Sequence, residues 1–183
     1  LSLLMESDKL SFADLRKKFA HYGVLVGYGS RELLLHGDTY FQNFYKNWTS
    51  FKSVYGTNGL VNKFKGVPAV ICGAGPSLNK NLDQLKNLKE KALIFAGGSA
   101  VTLLSNKGLV PHIGGAVDPN DIQYDRMLEQ SAFELPVYFK MRLYHEALKV
   151  LHGPKLFLGN SKVYPVTNWM QEKTGVSGGR GYK

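Results

Sequence analysis

The chain reads as an α/β protein built on a Rossmann-like, mostly parallel sheet, with a helical segment in front of it. Three observations predict this. From Val67 onward, short apolar runs alternate with stretches of helical spacing, and strands that alternate with helices imply parallel pairing through right-handed crossovers. The first two runs end in glycine turns, Gly73-Ala74-Gly75 and Gly97-Gly98, as βα connections often do. The composition, 44% hydrophobic and 20% charged over 183 residues, suffices for one domain with a proper core.

Taken in order, residues 1–66 form an N-terminal, mainly helical segment and residues 67–183 the Rossmann-like domain. Ser11-Phe12-Ala13-Asp14 resembles a capping box and predicts a helix through about Tyr22. Leu33, Leu34 and Leu35, then Phe41, Phe44, Tyr45 and Trp48, recur at helical intervals, and no residue of this region is assigned chemistry. Val67 to Cys72 is the first strand. A helix over about 79–91 carries Leu82, Leu85 and Leu88 as its apolar stripe and Lys86, Lys89 and Lys91 on its wet face. The further strands are Ala92–Ala96, Ile113–Val117, Leu135–Phe139 and Lys155–Leu158. Helices fit between them at about 99–107, 121–130 and 143–151.

In a sheet of this kind the ligand crevice lies beyond the carboxyl ends of the strands. Four loops fall there. The first is Gly73, Ala74, Gly75, Pro76 and Ser77, where glycines let the backbone turn and approach a ligand and proline suits the first turn of a helix. Strand, glycine turn and helix start together make an anion site. The second is Gly97, Gly98 and Ser99, with Ser99 able to cap a helix or touch a ligand. The third holds Asp118, whose carboxylate suits ribose hydroxyls or, with Asp121, a Mg²⁺ ion. The fourth is Ser177, Gly178 and Gly179, another candidate nest of backbone N–H groups.

The first loop also excludes two nucleotide classes. A dinucleotide fingerprint wants glycine at position 78 and an acidic residue at the end of the second strand; here the residues are Leu78 and Ala96-Gly97-Gly98. A Walker A loop wants Gly-Lys-Ser/Thr after a four-residue gap, and none is present.

The balance of 23 Lys+Arg against 14 Asp+Glu gives a net charge of +9, which favours anionic partners. The basic residues are scattered and lack interleaved aromatics, so a nucleic-acid surface is disfavoured. Leu1-Ser2-Leu3-Leu4-Met5 is too short for a signal peptide or a membrane span. A lone cysteine, Cys72, cannot form an internal disulfide, and a reducing, cytoplasmic setting is expected. Asn47-Trp48-Thr49, formally a glycosylation sequon, has no force in that compartment. The five histidines show no metal spacing, and no catalytic base is assigned.

Gly73-Ala74-Gly75-Pro76-Ser77-Leu78, Ala92 to Ala96, Gly108-Leu109-Val110-Pro111-His112 with Val117-Asp118-Pro119, and Ser177-Gly178-Gly179 form an ordered series. It resembles the motif series of the motility accessory factor (Maf) proteins, which are bacterial glycosyltransferases. The resemblance implies transfer of a nonulosonic acid sugar from a CMP-activated donor to serine or threonine of flagellin. The wider superfamily includes the archaeal 6-hydroxymethylpterin diphosphokinase, so pyrophosphoryl transfer is the alternative, with a non-catalytic nucleotide-binding module as a second. The first loop is also similar to the CMP-binding Gly-Asn-Gly-Pro-Ser-Leu element of some bacterial sialyltransferases.

Three departures qualify what carries over. Ala74 stands in place of the sialyltransferase Asn, leaving a backbone cradle only; His112 replaces the acid that commonly follows this proline; and Arg180 to Lys183 do not continue the family's next helix. The expectation is a nucleotide-sugar site with no required cofactor, Mg²⁺ being an open option, and a flagellin or other protein acceptor. Without the next helix, an open pocket wall, self-association and weak turnover are expected.

Overall fold

The computed structural model describes residues 9–158, together with Trp169, Glu172 and Lys173. Ser177, Gly178 and Gly179 lie outside the described residues. The chain divides into two compact units, one up to Asp38 and one from Thr39. Helix α1 runs over Lys9–Trp48, rather than stopping near Tyr22. Within the first unit it leaves Phe19, Val24, Tyr28 and Leu34 exposed.

The second unit holds the sheet. After a 3₁₀ turn over Thr49–Ser53 come β1 (Val54–Gly56), a second 3₁₀ turn (Thr57–Leu60) and β2 (Ala69–Cys72). Helices α2 (Pro76–Lys80) and α3 (Leu82–Leu88) follow, then β3 (Leu93–Gly97) and α4 (Ser99–Asn106). The remaining elements are β4 (Ile113–Ala116), α5 (Ile122–Leu128), β5 (Val137–Phe139), α6 (His145–Val150) and β6 (Lys155–Phe157). The six strands of the described residues lie in the order β1-β6-β5-β4-β3-β2, and every pair is parallel. The α/β class and the parallel sheet are as the sequence predicts.

Two elements differ from the expected pattern. The single helix over 79–91 is two short ones, because the chain turns at Asn81, whose Nδ2 bonds the Ser77 carbonyl at 2.8 Å. The segment before residue 67 is not helical throughout: Val54–Gly56 joins the sheet beside β6. Thr57 Oγ1 locks it there by donating to the Phe157 carbonyl at 3.1 Å.

From β2 to β6 the strands follow one another in space, so right-handed crossovers put their connecting helices on one face. Strand alternation sends Cys72, Ile94, Ala96, Ala116, Val137, Phe139 and Phe157 to that face. They share a buried core with Leu78, Leu85, Leu104, Met127, Ala147 and Leu148 of the helices. The opposite face carries Ile71 beside Phe95 and, two residues further along the strands, Tyr138 beside Leu156. Phe95, Tyr138 and Leu156 are half-buried, and Ile71, on the edge strand, is 86% exposed.

Candidate functional site

Register decides which loops meet. Cys72 pairs with Ala96, Ala96 with Gly114 and Gly97 with Gly115, so β2, β3 and β4 end level with one another. The Gly73–Ser77 turn, Gly97–Ser99 and Asp118 therefore leave the same edge from three adjacent strands. The sequence-predicted residues that the structure describes are brought together in this sense.

The glycines differ in what the fold asks of them. Gly98 has φ +46 and ψ −123, a region that side chains strongly disfavour, and its N–H donates to the Gly115 carbonyl at 3.0 Å. Gly75 has an ordinary extended backbone, φ −74 and ψ 165. Among the described residues, a Cβ at Gly73 or Gly97 would meet nothing within 4 Å, and at Gly75 it would reach only the Ser77 hydroxyl at 4.0 Å. Chain geometry does not require glycine at 73, 75 or 97.

Gly73 to Ser77 are all exposed. Pro76 opens α2 at its first turn, where its missing N–H costs nothing. That helix is five residues long, so its contribution is local N–H groups rather than an extended dipole. Ser99 is the first residue of α4 and not its cap, the cap position being Gly98. A groove of about 310 Å³ opens beside Gly73 and Ser77 and follows the outer edge of β2 past Leu78 and Leu85 to Leu88. It leads away from Asp118.

Asp118 is half exposed, and its Oδ2 lies 3.4 Å from Arg126 Nη1. The Asp121 Oδ1 accepts from the Ile122 N–H at 2.9 Å, the capping role at the start of α5. Among the described residues, no three His, Cys, Asp or Glu side chains converge as a metal centre would require.

The turn that carries Asp118 is held from outside its own strand. Arg142 Nε donates to the Val117 carbonyl at 3.2 Å, the Tyr144 N–H to the Asp118 carbonyl at 3.0 Å, and Asn43 Nδ2 to the Pro119 carbonyl at 2.8 Å. One helical turn further along α1, Asn47 Nδ2 donates to the carbonyls of Met141 at 3.0 Å and Leu143 at 2.7 Å. Both asparagines are 2% exposed. Sequence reasoning assigned this region no chemistry; the available signal was two asparagines four apart among the aromatics of a helix. The sequon at Asn47 is accordingly a packed structural amide.

Two of the histidines make structural contacts too. His112 Nδ1 accepts from the Ile94 N–H at 2.9 Å, extending the β3–β4 ladder by a side chain. His145 Nδ1 lies 3.1 Å from Asn43 Oδ1, and its Nε2 lies 3.0 Å from Glu146 Oε1. Burial first, and then Lys46, hold the His145 pKa below its usual value against the pull of Glu146. Burial pushes the Cys72 thiol up, away from the thiolate form that nucleophilic chemistry uses.

This is a Rossmann-like α/β protein with its loops of small residues gathered at the carboxyl edge of β2, β3 and β4. A family model described as "6-hydroxymethylpterin diphosphokinase MptE-like" matches residues 42–182. The chain belongs to this MptE-like family, within the superfamily to which the glycine-loop series pointed. A protein of Treponema pallidum (strain Nichols), described as uncharacterized, is 36% identical over 56 residues, which are 31% of this chain and 27% of that protein. The solved structure of a Maf glycosyltransferase from Magnetospirillum magneticum AMB-1 matches with a TM-score of 0.45 at 16% identity, over 50% of this chain and 15% of that one. The chain thus spans less than a third of either relative's length.

Proposed function

We propose that the chain is a transferase that binds a nucleotide-bearing donor across the carboxyl ends of β2, β3 and β4. The observation that carries this reading is the open space above Gly73, Gly75 and Gly97, at an edge where the fold itself has no need of glycine. Close approach of a phosphate to backbone N–H groups is a use that side chains would obstruct. Asp118 faces a ribose hydroxyl in this reading, and Ser77 and Ser99 offer hydroxyls to the phosphate.

Glycosyl transfer from a CMP-activated nonulosonic acid is the first form of the reaction. An acceptor hydroxyl, such as a serine or threonine of flagellin, attacks the anomeric carbon and gives up its proton to solvent. The new C–O bond forms as the bond to phosphate breaks, and CMP leaves with the electron pair, its developing charge met by loop N–H groups. The family description favours a second form, pyrophosphoryl transfer from ATP to an alcohol, which ordinarily requires Mg²⁺ to neutralise phosphate charge.

Thermal-shift titration with CMP, CDP, UDP, ADP and ATP, each with and without Mg²⁺, tests both forms. Ligand binding to the native state raises its melting temperature by mass action. A Mg²⁺-independent rise with CMP supports the glycosyl form, and a Mg²⁺-dependent rise with ATP supports the pyrophosphoryl form. Absence of any rise overturns the nucleotide reading, and binding without turnover assigns a non-catalytic module.

A further inference from the structure

Helix α5 buries the wrong side chains for an ordinary amphipathic helix. Ile122 and Leu128 are exposed, whereas Gln123 is 2% and Gln130, just beyond the helix, 6% exposed. Gln123 and Met127 share one face of α5 and Gln130 follows just past its end, so the buried side chains of this segment read Gln, Met, Gln. Glutamine at a core position is costly unless its amide finds partners. Here the Nε2 of Gln123 and the Nε2 of Gln130 are both buried without a hydrogen-bond partner among the described residues.

The two side chains line the same small cavity, with Gly98, Gly115, Arg126 and Val137 around it. Its free volume, about 10 Å³, is the space of roughly one water-sized group. The walls are held together by side-chain bonds between α4 and the chain around α5. Thr102 Oγ1 donates to the Arg126 carbonyl at 3.1 Å, Asn106 Nδ2 to the Glu129 carbonyl at 3.0 Å, and the Ser131 N–H to Ser105 Oγ at 3.2 Å.

We propose that Gln123 and Gln130 form a pocket that takes one uncharged carbonyl oxygen of a substrate lying along the carboxyl ends of β3 and β4. Two amide N–H₂ groups call for an acceptor. Charge balance selects a neutral one, because the Arg126 guanidinium at the wall already has the Asp118 carboxylate at 3.4 Å. An oxyanion in the cavity would have to compete with Asp118 for the Arg126 guanidinium. The cavity is too small for a ring and has room for a terminal oxygen. Gly98 and Gly115 in its wall join it to the proposed substrate edge, and the inference rests on that edge being the substrate site.

The test is side-chain amide NMR on ¹⁵N-labelled protein, titrated with formamide and, in parallel, with formate as its charged analogue. Formamide should shift the Gln123 and Gln130 amide signals saturably, and formate should shift them less at equal concentration. In Gln123→Met the remaining Gln130 shift should fall, while melting temperature stays level or rises, since an unpaired buried donor has been removed. Equal response to both probes overturns the charge argument. No response to either, with cross-peaks from the amides to a long-lived water, overturns the pocket in favour of an internal water. Nucleotide thermal shifts on the unaltered chain report separately on the proposed function, so its failure and this one are distinguishable.

Discussion

Asn43 Nδ2 donates to the carbonyl of Pro119 at 2.8 Å, so the residue after Asp118 is held by a helix that precedes it by 76 positions. Its Oδ1 also lies 3.4 Å from the His145 N–H. One buried amide thus joins α1, the turn after β4 and the start of α6.

Asn43→Ala should lower stability by about 1–3 kcal/mol, the cost of leaving buried partners unpaired. Urea unfolding measures this. The variant should also weaken nucleotide binding although Asn43 touches no ligand, because the Asp118 turn loses its outer support. Unchanged nucleotide affinity at reduced stability would separate the turn from the site.

Gly75 and Gly98 should respond oppositely to alanine. Gly75→Ala keeps an allowed backbone and open space, and should leave stability unchanged or raise it by about 0.4–1 kcal/mol through the unfolded chain. Gly98→Ala forces a side chain into a disfavoured conformation and should cost about 1–3 kcal/mol. The bulkier Gly75→Val should abolish nucleotide binding in a folded protein. Retained affinity there would remove the Gly73–Ser77 loop from the site.

Asp118→Asn removes one member of a solvent-facing ion pair, so its effect on folding should stay within about 1 kcal/mol. Its effect on ligand should be larger. Titrating CMP with and without Mg²⁺ against both proteins reads the role directly. Equal affinity under all four conditions would return Asp118 to an ion pair with Arg126 alone.

Acidification should weaken the fold through His145. Its pKa is depressed in the folded state, so below the unfolded value of about 6.5 the unfolded chain takes up the proton first. The contribution is full above that pH and is lost as pH falls through the folded pKa. Lys46 and Lys149 add to the penalty and Glu146 opposes it. Urea midpoints from pH 7.5 to 5 should fall more steeply for the unaltered chain than for His145→Gln, and parallel curves would sink the assignment.

Among the described residues β2 is an edge strand, so Ile71 is an association hazard, because an edge offers unpaired backbone groups beside an apolar side chain. Ile71→Lys should reduce concentration-dependent light scattering without lowering the melting temperature. Identical scattering would place any self-association elsewhere.

Most of the sheet was legible in the sequence because β2 to β6 are apolar runs bounded by glycine and proline. β1 was not, since Val54-Tyr55-Gly56 is three residues long and owes its strand state to β6. The break at Asn81 was hidden because the leucine spacing of 82, 85 and 88 continues smoothly across the expected helix. The three described loops could be placed from the rule that ligands gather at the carboxyl ends of strands. Asn43, Asn47, Gln123 and Gln130 could not, because a polar residue on a helix reads as solvent-facing until its neighbours are known. Only tertiary placement turns those amides inward.

The pairing of β1 with β6 sets an order on how the molecule can be made. Thr57 and Phe157 are separated by 100 residues, so β1 leaves the ribosome long before the strand that will hold it. Loop closure of that length follows the nearer pairings, and β2 to β6 can grow by adding each strand to the last. Of the described strands, β1 is therefore expected to dock last, and until then Val54–Gly56 and the facing edge of β6 are open to other chains.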